Sequence, residues 1–244
     1  MPANLTESMD RLRFKKNKFS ALISKLERRK LAKLLDHYPK YHPPHKSKPC
    51  DLSLDQAREN HAFLMDSLPR RIECIQTLLA EFSLQLDHET LSKDAIVTLD
   101  AWAYQYWGAV YSKKLYLDIS FGYPFNFQGR DLAVRSMILD VALLIGEIYI
   151  AKSVKAKWEL DETGSDSHEQ STTYHRTVMS VRSVEEDEEI LNNLHQHEGS
   201  FGPRTLDLEA QTAYHFGSQR KDDGRILMDQ KMENILGKPL LEYF

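Results

Sequence analysis

Cysteine is scarce in this sequence: Cys50 and Cys74 are the only two in 244 residues. Two thiols so far apart give neither a disulfide framework nor the paired spacing of a zinc ligand set. A reducing, cytoplasmic setting is therefore expected. Linear catalytic signatures are also missing. There is no glycine-rich phosphate loop, no HExxH, no GxSxG and no Cys/His nucleophile context. Catalytic groups can still assemble from distant segments, but the expectation is a non-catalytic protein with no cofactor and no metal. The beginning of the chain shows no apolar stretch ahead of a small-residue cleavage site, so no secretory signal is expected. Nor is there a long apolar run free of charge. The most apolar stretch contains Asp140 and Glu147, and acidic groups at mid-bilayer cost on the order of 3 kcal/mol each. No transmembrane segment is expected.

That stretch is what the chain does have. From Leu132 to Val154 apolar residues occupy nearly every helical face, which predicts a helix over 131–154 buried at the centre of a sizeable core. A possible strand follows at Lys157–Leu160. At 100° per residue, Ser136, Asp140 and Glu147 fall within about 40° of one another. They make a narrow polar stripe on an apolar rod. Buried carboxylates need partners, so the stripe either accepts hydrogen bonds from arginines, tyrosines or helix N-termini, or lines a cleft for a ligand. Arg135 lies on another face, where Asp131 is a possible partner four residues earlier. Gly146 predicts close approach of a second helix.

Three segments carry a resemblance: RSMILDVALLIGEIYIAKSVKAKWEL in the central stretch, LSLDQARENHAFLMDSLPRRIECIQTLL before it, and VTLDAWAYQYW between them. Together, over residues 50–160, they resemble a loose group of uncharacterised bacterial, mainly helical proteins. The shared pattern is a helical hairpin, a helix with Leu-Asp-Ala-aromatic, and an Asp…Gly-Glu helix ending in tryptophan. The resemblance implies a helical fold and no assigned activity. This chain departs from the pattern at Leu144-Ile145 and in its basic beginning.

Charge is unevenly distributed. Residues 11–48 hold thirteen lysines and arginines against Glu27 and Asp36, which leaves the remainder acidic. Leucines at helical spacing predict a basic amphipathic helix over Phe19–His37, followed by a Pro-rich linker, YHPPHKSKPC. Lys15, Lys16, Lys18, Lys25, Arg28, Arg29, Lys30 and Lys33 make this a basic arm. The possibilities are a solvated face, a phosphate-binding arm for nucleic acid, or contact with an anionic membrane surface or acidic partner.

Ser53 and Gln56 form a capping-box pattern opening a helix to about Ser67. Pro69 reads as the start of a second helix to Phe82, the pair forming an antiparallel hairpin. Thr90–Val110 is predicted helical, its aromatic stripe belonging to the core. Phe121, Tyr123, Phe125 and Phe127 alternate with glycine, proline and asparagine in a loop, a candidate partner-binding element or a cover folded over the core. Beyond Trp158, DETGSDSHEQSTT reads as a polar loop and Tyr174–Val181 as a strand able to pair with Lys157–Leu160. A short helix at Glu188–His195, the His195-x-His197 pair and a last helix over Arg225–Leu236 complete the pattern. His61 and His88 read as isolated surface or core residues.

The expected architecture is mainly α: a helical bundle around a central apolar helix (131–154), with a small β element and a mixed C-terminal region. Its parts are a basic helical arm and linker (1–48), a helical core (49–160) and a C-terminal α/β region (161–244) packed on that core. The function expected first is a protein-binding module, in its most specific form an immunity- or antitoxin-like protein that occludes a toxin or effector. Nucleic-acid association through the basic arm is the second expectation. A ligand binder or enzyme built on Asp140 and Glu147 is the third.

Overall fold

The computed structural model describes residues 29–86, 93–107, 110, 127–152, 156–162, 174–181, 204–206, 208–209 and 212. The protein is mainly α with a small antiparallel sheet. Its elements are α1 (29–36), α2 (Leu54–Ala80), α3 (Lys93–Tyr106), α4 (Gly129–Lys152), β1 (Ala156–Leu160), β2 (Thr177–Val181) and β3 (Arg204–Leu206). Among the described residues, no helix is long and apolar enough to cross a membrane.

The central helix forms two residues ahead of the expected start and ends two before the expected stop. Leu132 to Ile145 is buried throughout, because α4 is covered on several sides at once: by α1 and the strap that follows it, by α2, by α3 and by the sheet. One large cluster holds Met137, Ile138, Val141 and Leu144 against Leu31, Leu35, Ile75, Leu79, Leu99 and Trp102. A smaller one joins Ala142 and Tyr149 to Ala156, Met179 and Leu208, and Trp158 borders both.

The capping box opens α2 as expected: the Ser53 hydroxyl accepts from the Gln56 amide at 3.2 Å, and the Gln56 side chain accepts from the Ser53 amide at 3.1 Å. The expected hairpin does not form. One helix of 27 residues runs through Pro69. An internal proline costs about 3 kcal/mol. Ala57, Leu64, Ile72, Ile75, Leu78 and Leu79 nevertheless continue a single buried stripe past it, and fully burying a large apolar side chain contributes about 1.5–3 kcal/mol. The stripe outweighs the proline, whose ring stays on the exposed side. The helix ends in paired bonds, Ser83 N–H to Ala80 O and Leu84 N–H to Leu79 O, with Ser83 at φ 61°.

The strands pair in the order β1-β2-β3, all antiparallel. Trp158 faces Met179 and Leu160 faces Thr177, the pairing expected from sequence. Gly146 does admit a close neighbour, but a strand residue rather than a helix. A β-carbon there would sit 2.0 Å from Cζ2 of Trp158.

Residues 29–48 show no break in packing at the expected boundary. Leu31, Leu35, Tyr38 and Tyr41 belong to the main cluster. Residues 37–49 form a strap laid over α4 and α2, fixed where the Asn60 side chain bonds both the amide and the carbonyl of His45, at 2.9 and 3.0 Å.

Candidate functional site

The polar stripe of α4 is brought into two separate settings. Asp140 has no exposed surface. Arg71, on the buried stripe of α2, donates to its two oxygens at 2.6 and 2.5 Å, and the Tyr38 hydroxyl donates at 2.5 Å. Arg71 also donates to the Pro39 carbonyl at 2.9 Å. Burial pushes the Asp140 carboxyl up to about 7, against the pull of Arg71 and Tyr38. One turn earlier, the Ser136 hydroxyl accepts from the Tyr41 amide at 2.8 Å and donates to the Leu132 carbonyl at 2.7 Å. These groups fasten the strap and α2 to the central helix. Glu147 stands apart from them, half-buried, accepting from the Trp158 indole at 2.7 Å. Asp140 and Glu147 therefore do not line a common cleft.

The aromatic loop is represented by Phe127 alone; Phe121, Tyr123 and Phe125 lie outside the described residues. Phe127 is half-buried against the main cluster, with the Arg135 guanidinium 5.7 Å from its ring centre. Of the basic arm, Lys15, Lys16, Lys18, Lys25 and Arg28 also lie outside the described residues. Arg29 and Lys33 are exposed on α1. Lys30 donates to the Glu81 carbonyl and sits 5.1 Å from the Phe82 ring centre, so this cation serves to hold α1 against the end of α2. His88, the His195/His197 pair and the two expected C-terminal helices fall outside the described residues as well.

A second polar centre lies between the strap, α2, α4 and the sheet, where a half-enclosed cavity of about 100 Å³ opens. Arg135 points here rather than toward Asp131, which is exposed. Arg135 and Arg176 both reach Glu209, at 3.2 and 3.6 Å. The expected Asp131 pairing loses to this one because Glu209 offers a carboxylate inside the fold. Burial lowers the Arg135 guanidinium from its ordinary range, with Glu209 opposing. His61, half-buried, bonds Thr177 through Nδ1 at 3.0 Å. Burial lowers its imidazole, and Glu159 partly offsets that.

His175, 7% exposed, also lines the cavity. It adopts φ 60°, a left-handed conformation that is uncommon outside glycine, and such strain often gathers at binding sites. Its backbone is fixed by the bonds His175 N–H to Asp161 O at 2.8 Å and Asp161 N–H to Arg176 O at 2.9 Å. Its ring stacks on Tyr174 at 3.7 Å, and Nδ1 lies 3.2 Å from the Pro49 carbonyl. The other ring nitrogen, Nε2, is buried without a hydrogen-bond partner.

Sequence reasoning passed over Arg71, His175, Arg176 and Glu209. Arg71 carried a signal: it falls seven residues after Leu64 on the apolar stripe of α2, where a cation calls for a buried anion. The other three come together only through the sheet and the segment after β3, and no local pattern marks them. Among the described residues, no group of three or more histidine, cysteine, aspartate or glutamate side chains is placed to hold a metal ion.

No protein-family model, no curated protein and no solved structure matches this chain.

Proposed function

We propose that the protein acts by binding another protein, and that α2 presents the contact. The carrying observation is Phe63. It is the large apolar side chain left exposed among the described residues, at 42%, and it is backed by Tyr41 with ring centres 6.0 Å apart. Glu59 and Asp66, one turn to either side, are exposed on the same helix. A rigid aromatic anchor rimmed by acids is suited to a partner that offers an apolar pocket edged by lysine or arginine. A basic toxin or effector has that chemistry, so an immunity- or antitoxin-like role is the specific form of this reading.

The test is recovery from native lysate, with nuclease, by three forms of the protein: intact, shortened to begin at residue 29, and Phe63→Ala. The expected outcome is a discrete partner protein held by the intact and shortened forms and bound at least about tenfold more weakly by Phe63→Ala, as for a central interface anchor. A partner held equally by Phe63→Ala overturns the reading. Nuclease-sensitive recovery lost on shortening overturns it too, and assigns the function to the basic segment.

A further inference from the structure

We infer that the exposed face of α2 pairs, antiparallel, with the same face of a second copy of this chain, so that Phe63 is covered by self-association until another partner displaces it. The inference rests on the reading of Phe63 as an interface anchor and adds what occupies that anchor when no other partner is bound.

Spacing is the first observation. Gln56, Glu59, Phe63, Asp66, Arg70 and Glu73 follow one another at alternating steps of three and four residues. That spacing keeps side chains in one seam along a helix and lets two helices pair along it. All six lie on α2, which runs unbroken through the stretch. All but the half-buried Gln56 are exposed, while the stripe that includes Leu64 and Ile75 is buried in the main cluster. Phe63, 42% exposed, is the apolar member of the seam.

Charge sets the orientation. A parallel pair would set each residue against its own copy, so every charged layer would be repulsive. An antiparallel pair has a two-fold axis. With that axis at the level between residues 64 and 65, Glu59 meets Arg70 of the second copy, Gln56 meets Glu73, and Phe63 meets Asp66, each layer occurring twice. No layer then holds two like charges. The Arg70 side chain has no ion-pair or hydrogen-bond partner among the described residues, and a guanidinium takes a carboxylate with good geometry. His45 engages Oε2 of Glu59 at 2.5 Å, which leaves Oε1 for Arg70. The Gln56 side-chain oxygen accepts from the Ser53 amide, and its amino group is left to donate to Glu73.

The apolar residue fixes the register. With the axis between residues 64 and 65, the two Phe63 residues stand only ~4.5 Å apart along the helices, at ~1.5 Å per residue, and their rings meet at the centre of the contact, where anchors concentrate. A register one heptad further along also sets Arg70 against an acid, Asp66, but moves Phe63 outward to face Glu73. One heptad the other way sets Phe63 against Glu59. Only the central register both pairs the charges and joins the rings. A contact one helix wide and ~25 Å long is at the small end of protein interfaces, so the dimer is a transient one that a better-fitting partner displaces.

The experiment is sedimentation equilibrium of the full chain alone, at concentrations up to about 1 mM and at low and high salt. The expected result is a monomer–dimer equilibrium that stops at the dimer, because a two-fold contact uses up the face, and that weakens with salt, because exposed charge pairs are screened. Phe63→Ala should weaken it at least about tenfold. Arg70→Glu should weaken it by a similar factor, and Glu59→Arg added to Arg70→Glu should restore it, since the two charges are then exchanged within one layer. The altered side chains are exposed, and the melting temperature of each variant checks that the fold is kept. An unaltered chain that stays monomeric throughout overturns the inference without recourse to any variant. A dimer that is unchanged by Phe63→Ala and Arg70→Glu overturns it too, by placing the contact elsewhere. Rescue of Arg70→Glu by Asp66→Arg in place of Glu59→Arg overturns the register. A monomer that still recovers a partner from lysate through Phe63 overturns self-pairing alone; a dimer that recovers none overturns the partner reading alone.

Discussion

Asp140 and Arg71 form an ion pair with almost no access to water: their side chains are 0% and 6% exposed. A buried pair is seldom a large net source of stability, because both ions lose hydration, yet removing one partner strands the other. Here the pair also orients its neighbours. Tyr38 donates to Asp140, and Arg71 donates to the Pro39 carbonyl, so two positions of the strap depend on it. Asp140→Leu or Arg71→Met alone should each lower unfolding free energy by about 3–5 kcal/mol. The double variant should lose less than the sum, with a coupling toward the upper end of ~0.5–3 kcal/mol, because no bare charge remains and only the Tyr38 hydroxyl and the Pro39 carbonyl are left short of a partner. Urea denaturation of the four proteins measures this. Additive losses would show that the pair acts as two independent packing residues.

At the scale of elements, the contact between α4 and β1 turns on a missing side chain. Trp158 lies across Gly146 and donates its indole N–H to Glu147 at 2.7 Å. Gly146→Ala places a methyl group 2.0 Å from Cζ2 and 2.4 Å from Cη2 of that ring. Alanine is the better helix former by about 1 kcal/mol, so helix propensity alone predicts stabilisation. A rigid indole cannot give way without leaving Glu147, and overpacking typically costs about 1–3 kcal/mol. Net destabilisation and altered Trp158 fluorescence are expected; a higher melting temperature would mean that the ring has room to move. The same elements show what was legible beforehand. The apolar run of α4, broken by two acids, and the β-branched and aromatic residues of 174–181 are local patterns, and a central helix and a strand pair form over those stretches. Pro69 is also local, but its outcome is decided by a stripe that continues on both sides of it, so a breaker rule applied at one residue divides a helix that packing keeps whole. Pairing of the stripe with arginines or tyrosines, expected from the cost of a bare buried carboxylate, is what Asp140 shows; the alternative, a cleft shared with Glu147, rested on helical angle alone. Seven residues along α4 carry the two side chains to different neighbours, Arg71 and Trp158, which angular position does not reveal. The His175 cavity depends on the turn between β1 and β2 and on Glu209, contacts with no counterpart in local sequence.

For the molecule as a whole, the charge distribution invites division of the chain at residue 48, and the packing opposes it. Leu31 and Leu35 have no exposed surface, and Tyr38 and Tyr41 are 6% and 8% exposed. Fully burying side chains of this kind contributes about 1.5–3 kcal/mol each, against a total stability of about 5–15 kcal/mol for a domain. Removal of residues 1–48 strips these four from the main cluster, takes the Tyr38 hydroxyl from Asp140 and opens the cavity wall formed by the strap. The shortened chain 49–244 is therefore expected to lose cooperative thermal unfolding. Removal of residues 1–28 leaves all of these contacts in place, so the form that begins at residue 29 is the reference against which the loss of residues 29–48 is read. Circular dichroism of the three forms decides the matter. If 49–244 melts like the whole chain, residues 29–48 are an accessory arm whose basic residues are free to serve another partner. If it does not, residues 29–48 belong to the core, and any binding role for the cationic run must be sought with them left in place.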